Sequence, residues 1–251
     1  MERASSWRGE VMGRRGVVLL LCLAVLAASV LSSGAVTAAS PAKGVIKSSG
    51  GGGMAGSIIV SDTGGSAGIT TQVGDTIPFI EDVSLLDIRE GDLVTFDIVP
   101  SPLPGTEEMA VSIGRVARGT VITGTQSGNI IISPDSSVLI RGGATIEGKI
   151  TVNGGTLVVD GSLIDGKVDS SGGSVIIVGS RVDGKVESGG GGTLVVRGSV
   201  VDGKVTSNGD SYVRITDNTI SGKLEVINTA GDCKSSGNTV EGKTNTPNCT
   251  P

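Results

Sequence analysis

Apolar positions between residues 138 and 249 fall into columns when the chain is cut at its Gly-Lys pairs. These pairs occur at 148–149, 166–167, 184–185, 203–204, 222–223 and 242–243, at intervals of 18 to 20 residues. One column holds Leu157, Val175, Leu194 and Val213, and the next holds Ile140, Val159, Ile177, Val196 and Ile215. A third runs through Ile146, Ile164, Val182, Val201, Ile220 and Val240, and a fourth through Ile150, Val168, Val186, Val205 and Leu224, ending at Thr244. Short segments alternate with period two, which puts all members of a column on one side of a strand. A unit repeated at this spacing implies a solenoid, because each unit buries its apolar side only against its neighbours. Units this short, rich in Gly and β-branched residues and without a helical period, predict a parallel β-helix of five or six coils over residues 138–251.

Residues between the core positions are expected to face water. Glu147, Asp165, Asp183, Asp202 and Glu241 form an acidic column, broken by Ser221, and the lysines of the repeat form a basic one two positions later. Coils roughly 4.8 Å apart would let each lysine reach carboxylates on its own coil and the next. Asp165, Lys167, Asp183, Lys185, Asp202 and Lys204 are therefore the candidate charged ligand face. Exposed pairs contribute only about 0.2–1 kcal/mol each, so two readings stay open: a solvated face, or a lattice that grips a repeating polymer. Gly142, Gly161, Gly179 and Gly198 sit at a bend between strands, and the runs at 154–155, 172–173 and 189–192 close a longer corner. None is followed by the lysine and hydroxyl of a phosphate loop.

Upstream of the repeat, residues 57–117 predict short strands at 57–60, 68–70, 76–80, 92–99 and 108–116, separated by turn clusters. That is the content of a small β-barrel. Residues 118–137 are then a connector that caps the first coil, and residues 40–56, with their Gly/Ser run, a flexible linker. The segments IPFIEDVS, REGDLVTFDIV (Arg89–Val99) and GTEEMAVSIGRV (Gly105–Val116) resemble the later half of a cold-shock-type OB fold. The resemblance implies an OB-like barrel. That family binds single strands by stacking bases on aromatic rings over a basic surface, and here the corresponding strands carry Phe79 as their one early ring.

The N-terminus changes the setting. Arg3, Arg8, Arg14 and Arg15 precede an apolar block from Val17 to Leu31 and a small-residue exit, SSGAVTAAS. These are the parts of a secretory signal peptide over residues 1–39, cleaved after Ala38 or Ala39; the apolar run is short for a membrane span, and the alternative is an uncleaved anchor that leaves the rest of the chain outside. The chain is thus expected to be bacterial and secreted, periplasmic or on the cell surface, and to meet a membrane only through this signal. Cleavage would leave 16 Lys and Arg against 23 Asp and Glu, a net charge of −7, which repels nucleic acid. Phe79, Phe96 and Tyr212 would be its only aromatics. Cys233 and Cys249 would be its only cysteines, and in an exported chain they are expected to form a disulfide that closes the last coils. Two cysteines without histidine are too few for a zinc site, and no cofactor is expected.

The units DNTISGKL and GNTVEGKT, followed by a terminal cysteine, resemble the C-terminal coils of secreted bacterial β-helix proteins. The tandem 18-residue coils also resemble bactofilins, a resemblance that implies a polymer-forming scaffold. The fold class expected is all-β, an OB-like barrel followed by a parallel β-helix of 18–20-residue coils. The function expected is an exported, non-catalytic structural or binding protein, with extracellular polysaccharide or further copies of itself as partners. The alternative is a carbohydrate-active β-helix enzyme, but every exposed Asp and Lys belongs to a repeated column and no coil carries a distinct pair of carboxylates of the kind glycoside cleavage requires.

Overall fold

The computed structural model describes residues 40–48, 56–64, 69–80, 87–102 and 106–251, and the export signal lies outside them. Every element in this region is a strand. Five of them close a barrel: β1 (Ala42–Ser48), β2 (Gly56–Asp62), β3 (Thr76–Phe79), β4 (Leu93–Pro100) and β5 (Glu108–Ala117). The order around the barrel is β1-β2-β3-β5-β4, antiparallel except where β3 meets β5. Two expectations need correction. Ala42–Ser48 is not linker but the first barrel strand, because Ala42, Val45 and Ile46 are all buried; the glycines at 49–55 lie outside the described residues. Ile69 and Thr70 belong to no strand. Phe79 and Phe96 both sit inside the barrel core.

The β-helix begins earlier than expected. β6 (Gly119–Ile122), β7 (Thr125–Ser127) and β8 (Ile130–Ile132) pair in parallel with the strands of the next coil, so residues 119–132 are the first coil and not a separate cap. Seven coils follow one another, and each contributes one strand to each of three seven-stranded parallel sheets. The first sheet is built on β6, the second on β7 and the third on β8. All four predicted columns point into the prism, and from Ile140, Ile146, Ile150 and Leu157 to Ile215, Ile220 and Leu224 they form one continuous core.

Two kinds of glycine set the corners. Gly142, Gly161, Gly179, Gly198 and Gly237 have positive φ, with open space around a hypothetical Cβ at the first four, so backbone conformation alone selects glycine there. Asp217 occupies the same corner of the sixth coil at φ 60°. Gly148, Gly166, Gly184, Gly203, Gly222 and Gly242 do not have positive φ. A Cβ at any of them would lie within 2.6 Å of the glycine carbonyl oxygen one coil earlier. At this corner the coils touch backbone to backbone, and Gly184 N and Gly203 N each donate to that oxygen at 3.0 Å. Beside the positive-φ corner a polar ladder runs inside the wall: Ser180 Oγ accepts from Ser162 N, Ser199 Oγ from Ser180 N, and Asn218 Oδ1 from Ser199 N.

The barrel does not cap the first coil; it lies along the outer face of the first sheet. Leu139, Val158, Ile176 and Val195 stand between core positions and were expected in water, yet each is fully buried. They meet Val45, Ile59, Val73 and Leu93 of the barrel in a second apolar layer. Burying such a side chain contributes roughly 1.5–3 kcal/mol relative to exposure. Polar contacts frame this layer: Lys47 with Asp160 at 2.8 Å, Arg141 with Glu90, and Arg197 and Arg214 with Asp75 at 2.8 and 3.2 Å. The chain passes from β5 to β6 through Arg118 alone. The buried Asp92 carboxylate fixes that step, accepting from Gly119 N at 3.0 Å, Arg118 Nη1 at 3.0 Å and Arg89 N at 3.1 Å.

Three aspartate substitutions separate these layers. Val182→Asp places a charge inside the prism and should destabilise by more than about 3 kcal/mol. Ile176→Asp places it beneath the barrel and should cost on the order of 2–3 kcal/mol while opening the Ala117–Gly119 step to protease. Val200→Asp, outward on the second sheet, should stay within about 1 kcal/mol. Equal denaturation midpoints for all three would refute the assignment of faces.

Candidate functional site

Strand alternation determines which charges meet on the third sheet. Val168 points inward, so Lys167 and Asp169 flank it on the outer surface, and the same holds for Lys185 and Glu187 around Val186. Asp165 lies across the Gly166 corner on the preceding sheet. From Lys149 to Lys223, lysine therefore pairs with the carboxylate two positions after it where one is present, and otherwise with that of the neighbouring coil. Asp169 accepts from Lys149 at 2.7 Å and Lys167 at 2.8 Å; Glu187 accepts from Lys185 and from Lys204, the latter at 2.7 Å; Glu225 accepts from Lys223 at 2.7 Å. The expected pairing of lysines with Asp165, Asp183 and Asp202 is corrected accordingly. Arg181 holds Asp183 at 2.6 Å and also reaches Asp202 on the next coil. Asp165 has no ion-pair partner among the described residues. The column Asp169, Glu187 and Glu225 was missed, although the alternation of lysine, apolar residue and acid in KVD, KVE and KLE was there to be read.

The lattice neutralises itself. Partial burial works against the Asp169 carboxylate, but hydrogen bonds from Lys149 and Lys167 outweigh it and lower its pKa. Hydrogen bonds from Lys185 and Lys204 lower that of Glu187, and the one from Lys223 lowers that of Glu225. Lys149 to Asp169 and Lys204 to Glu187 cross between coils, so part of the pairing stitches the stack. A second charged cluster lies on the barrel, where Arg115 and Arg118 bring the exposed Asp87 down to about 2. Among the described residues, no three metal-ligating side chains come together.

One ionisable group lies inside the wall. Asp210 is fully buried at the long corner and accepts from Ser207 Oγ at 2.6 Å and Ser188 Oγ at 3.1 Å. Burial raises its pKa, and the hydrogen bonds only partly oppose that. The last coil is closed by Cys233 and Cys249, which are disulfide-bonded with Cα atoms 4.4 Å apart. The tail adds one further bridge, Thr250 N donating to Cys233 O and Ser235 N to Thr250 O, each at 2.9 Å.

Comparison with protein-family models, with curated proteins and with solved structures gave no match to this chain.

Two measurements follow. For Asp210, a folded pKa above the unfolded one means a contribution that is fully present below the unfolded pKa and lost as pH rises through the folded pKa. Asp169, Glu187 and Glu225 have the opposite sign, since their lowered pKa values give stability above the unfolded pKa that is lost on acidification. Asp210→Asn removes only the first contribution, so its stability should fall more steeply than wild type between neutral and acid pH. Parallel curves would refute the assignment. Reduction of the disulfide should remove on the order of 3 kcal/mol, the value for a loop of this length. An unchanged melting temperature in reductant would contradict that.

Proposed function

We propose that this chain is an exported, non-catalytic scaffold whose rigid β-helix carries the barrel along one side and presents its other faces as surface. The observation that carries this reading is the pairing on the third sheet: from the second to the sixth coil each lysine, Lys149, Lys167, Lys185, Lys204 and Lys223, is spent on Asp169, Glu187 or Glu225. Such a face resembles a structural lattice more than a grip. The barrel is firmly anchored by an apolar layer four coils long, which suits a part that is held in place and presented. Export rests on the basic, apolar and small-residue order of residues 1–39. N-terminal sequencing of the protein from the producing cells should begin after Ala38 or Ala39. Release of new reducing ends from a panel of polysaccharides would refute the non-catalytic reading.

A self-associating scaffold is the second reading, and one observation favours it. The outer edges of β6, β7 and β8 pair with no described strand, and Ile131 there is 68% exposed, whereas at the opposite end the tail bridges only the last strand of the first sheet, Cys233–Ser236. Unpaired strand edges are templates for further pairing. Light scattering on the purified protein reads such association directly: a dimer or larger assembly supports it, and a monomer at high concentration overturns it. Single-stranded RNA is not a partner in either reading, because the rings of the barrel are inside its core and the mature charge opposes phosphate. Fluorescence anisotropy at low salt should show no binding to an unstructured oligonucleotide; low-micromolar binding would reverse that.

A further inference from the structure

The apolar outer column of the first sheet changes character after the fifth coil. It reads Val121, Leu139, Val158, Ile176 and Val195, and then Arg214 and Lys234. The barrel covers the apolar part and stops. Where it stops, a cleft of about 500 Å³ opens between the barrel and the last two coils. Its floor is the outer surface of the strands Tyr212–Thr216 and Cys233–Ser236, extended by the tail at Asn248 and Thr250. Its wall is the segment 69–73 that leads into β3.

Both sides are fixed independently of any ligand. Thr71 N donates to Glu108 at 2.7 Å, and Gln72 N to Asp75 at 2.9 Å. Asp75 is in turn held by Arg197 and Arg214, and Arg197 also donates to Gly74 O at 3.1 Å. On the floor, the disulfide pins the tail beside Cys233. The cleft is therefore preformed, and its volume lies within the roughly 300–1,000 Å³ of small-ligand sites.

Its chemistry is specific. Tyr212 is the only tyrosine of the chain and lines the cleft half-buried, one ring in a protein with almost none. Around it lie the side chains of Gln72, Asp232, Lys234 and Asn248, none of which makes a hydrogen bond or ion pair among the described residues. Elsewhere the charges of the β-helix are mostly paired. Here one carboxylate, one ammonium and two amides line the same cleft as an aromatic ring without partners of their own, and their charges cancel. A ring offers an apolar face, while amides and a carboxylate offer fixed donors and acceptors for hydroxyl groups.

We infer that this cleft is a binding site for one or two units of a neutral carbohydrate, with Tyr212 as the surface on which a sugar ring rests. Gln72, Asp232, Lys234 and Asn248 hydrogen-bond its hydroxyls. The inference deepens the scaffold reading above, and rests on it only in requiring that the sugar is bound and not cleaved. The self-paired lattice of the third sheet takes no part.

The single tyrosine makes the test direct. The purified protein, labelled with 3-fluorotyrosine, should give one fluorine resonance, to be followed while maltose, cellobiose and N,N′-diacetylchitobiose are titrated in turn. A saturable shift with at least one of them is expected. Asp232→Asn and Gln72→Ala should each weaken that affinity about tenfold, since each leaves a hydroxyl without its partner. Lys167→Ala and Lys185→Ala, on the other sheet, should leave it unchanged. Sedimentation with insoluble cellulose or chitin, with and without the disaccharide as competitor, distinguishes the source: competed binding points to a polymer chain end, and absence of polymer binding points to a free oligosaccharide. No shift with any disaccharide and no binding to either polymer would overturn the inference, as would a shift that survives Asp232→Asn combined with Gln72→Ala. Cleavage of a bound disaccharide would refute the scaffold reading and leave the binding site standing.

Discussion

The molecule depends on one close contact: the glycine of each Gly-Lys pair rests on the carbonyl oxygen of the same glycine one coil earlier. No side chain fits there, since a Cβ would lie within 2.6 Å of that oxygen. The contact fixes the vertical spacing and the phase of every coil at one corner. Once that corner is fixed, the residue after it must be the first outward position of the third sheet, and a lysine there always has a neighbour two positions on. The next residue must point inward, which is why Val168, Val186, Val205 and Leu224 are all apolar. The Gly-Lys repeat is thus a geometrical requirement followed by a charge placed where it can be compensated.

The variable corner absorbs what the fixed one cannot. Differences between 18-, 19- and 20-residue coils are taken up around Gly154, Gly172, Gly190 and Gly209, each at positive φ, so the apolar columns keep their register across insertions. That corner also holds the buried carboxylate of the β-helix, Asp210, tied by serines of two consecutive coils. The carboxylate is tolerated inside the wall because hydroxyls one coil apart converge on it.

Much of the β-helix was legible because a column of like side chains, repeated at fixed spacing, has few structural explanations. Val182 and Val201 could be placed inside from sequence alone. The first coil escaped because it lacks the Gly-Lys pair; Gly128-Asn129 stands in its place, and only pairing with the second coil reveals it. The acid partners of the lysines escaped because two residues can be two apart in sequence and still lie on different sheets when a glycine corner separates them. The strand Ala42–Ser48 was hidden by the glycine run beside it, whose composition dominates any window that includes both. Tyr212 and the residues around it share no column or motif, and only the edge of the barrel brings them together.

The docking of the barrel was nevertheless written in the sequence as an exception. A strand that packs on one side alternates, and the strands VLI, LVV, VII and LVV of coils two to five do not. A run of three apolar residues needs cover on both faces. In the sixth and seventh coils the middle position becomes Arg214 and Lys234, so the second cover must end there. The same change that ends the apolar contact supplies Arg214 as the clamp for Asp75 and leaves Lys234 unpaired in the open. The boundary of the docked layer therefore produces a rigid, polar recess without any further device, because the barrel is held over the β-helix up to that line and the outer column beyond it is charged.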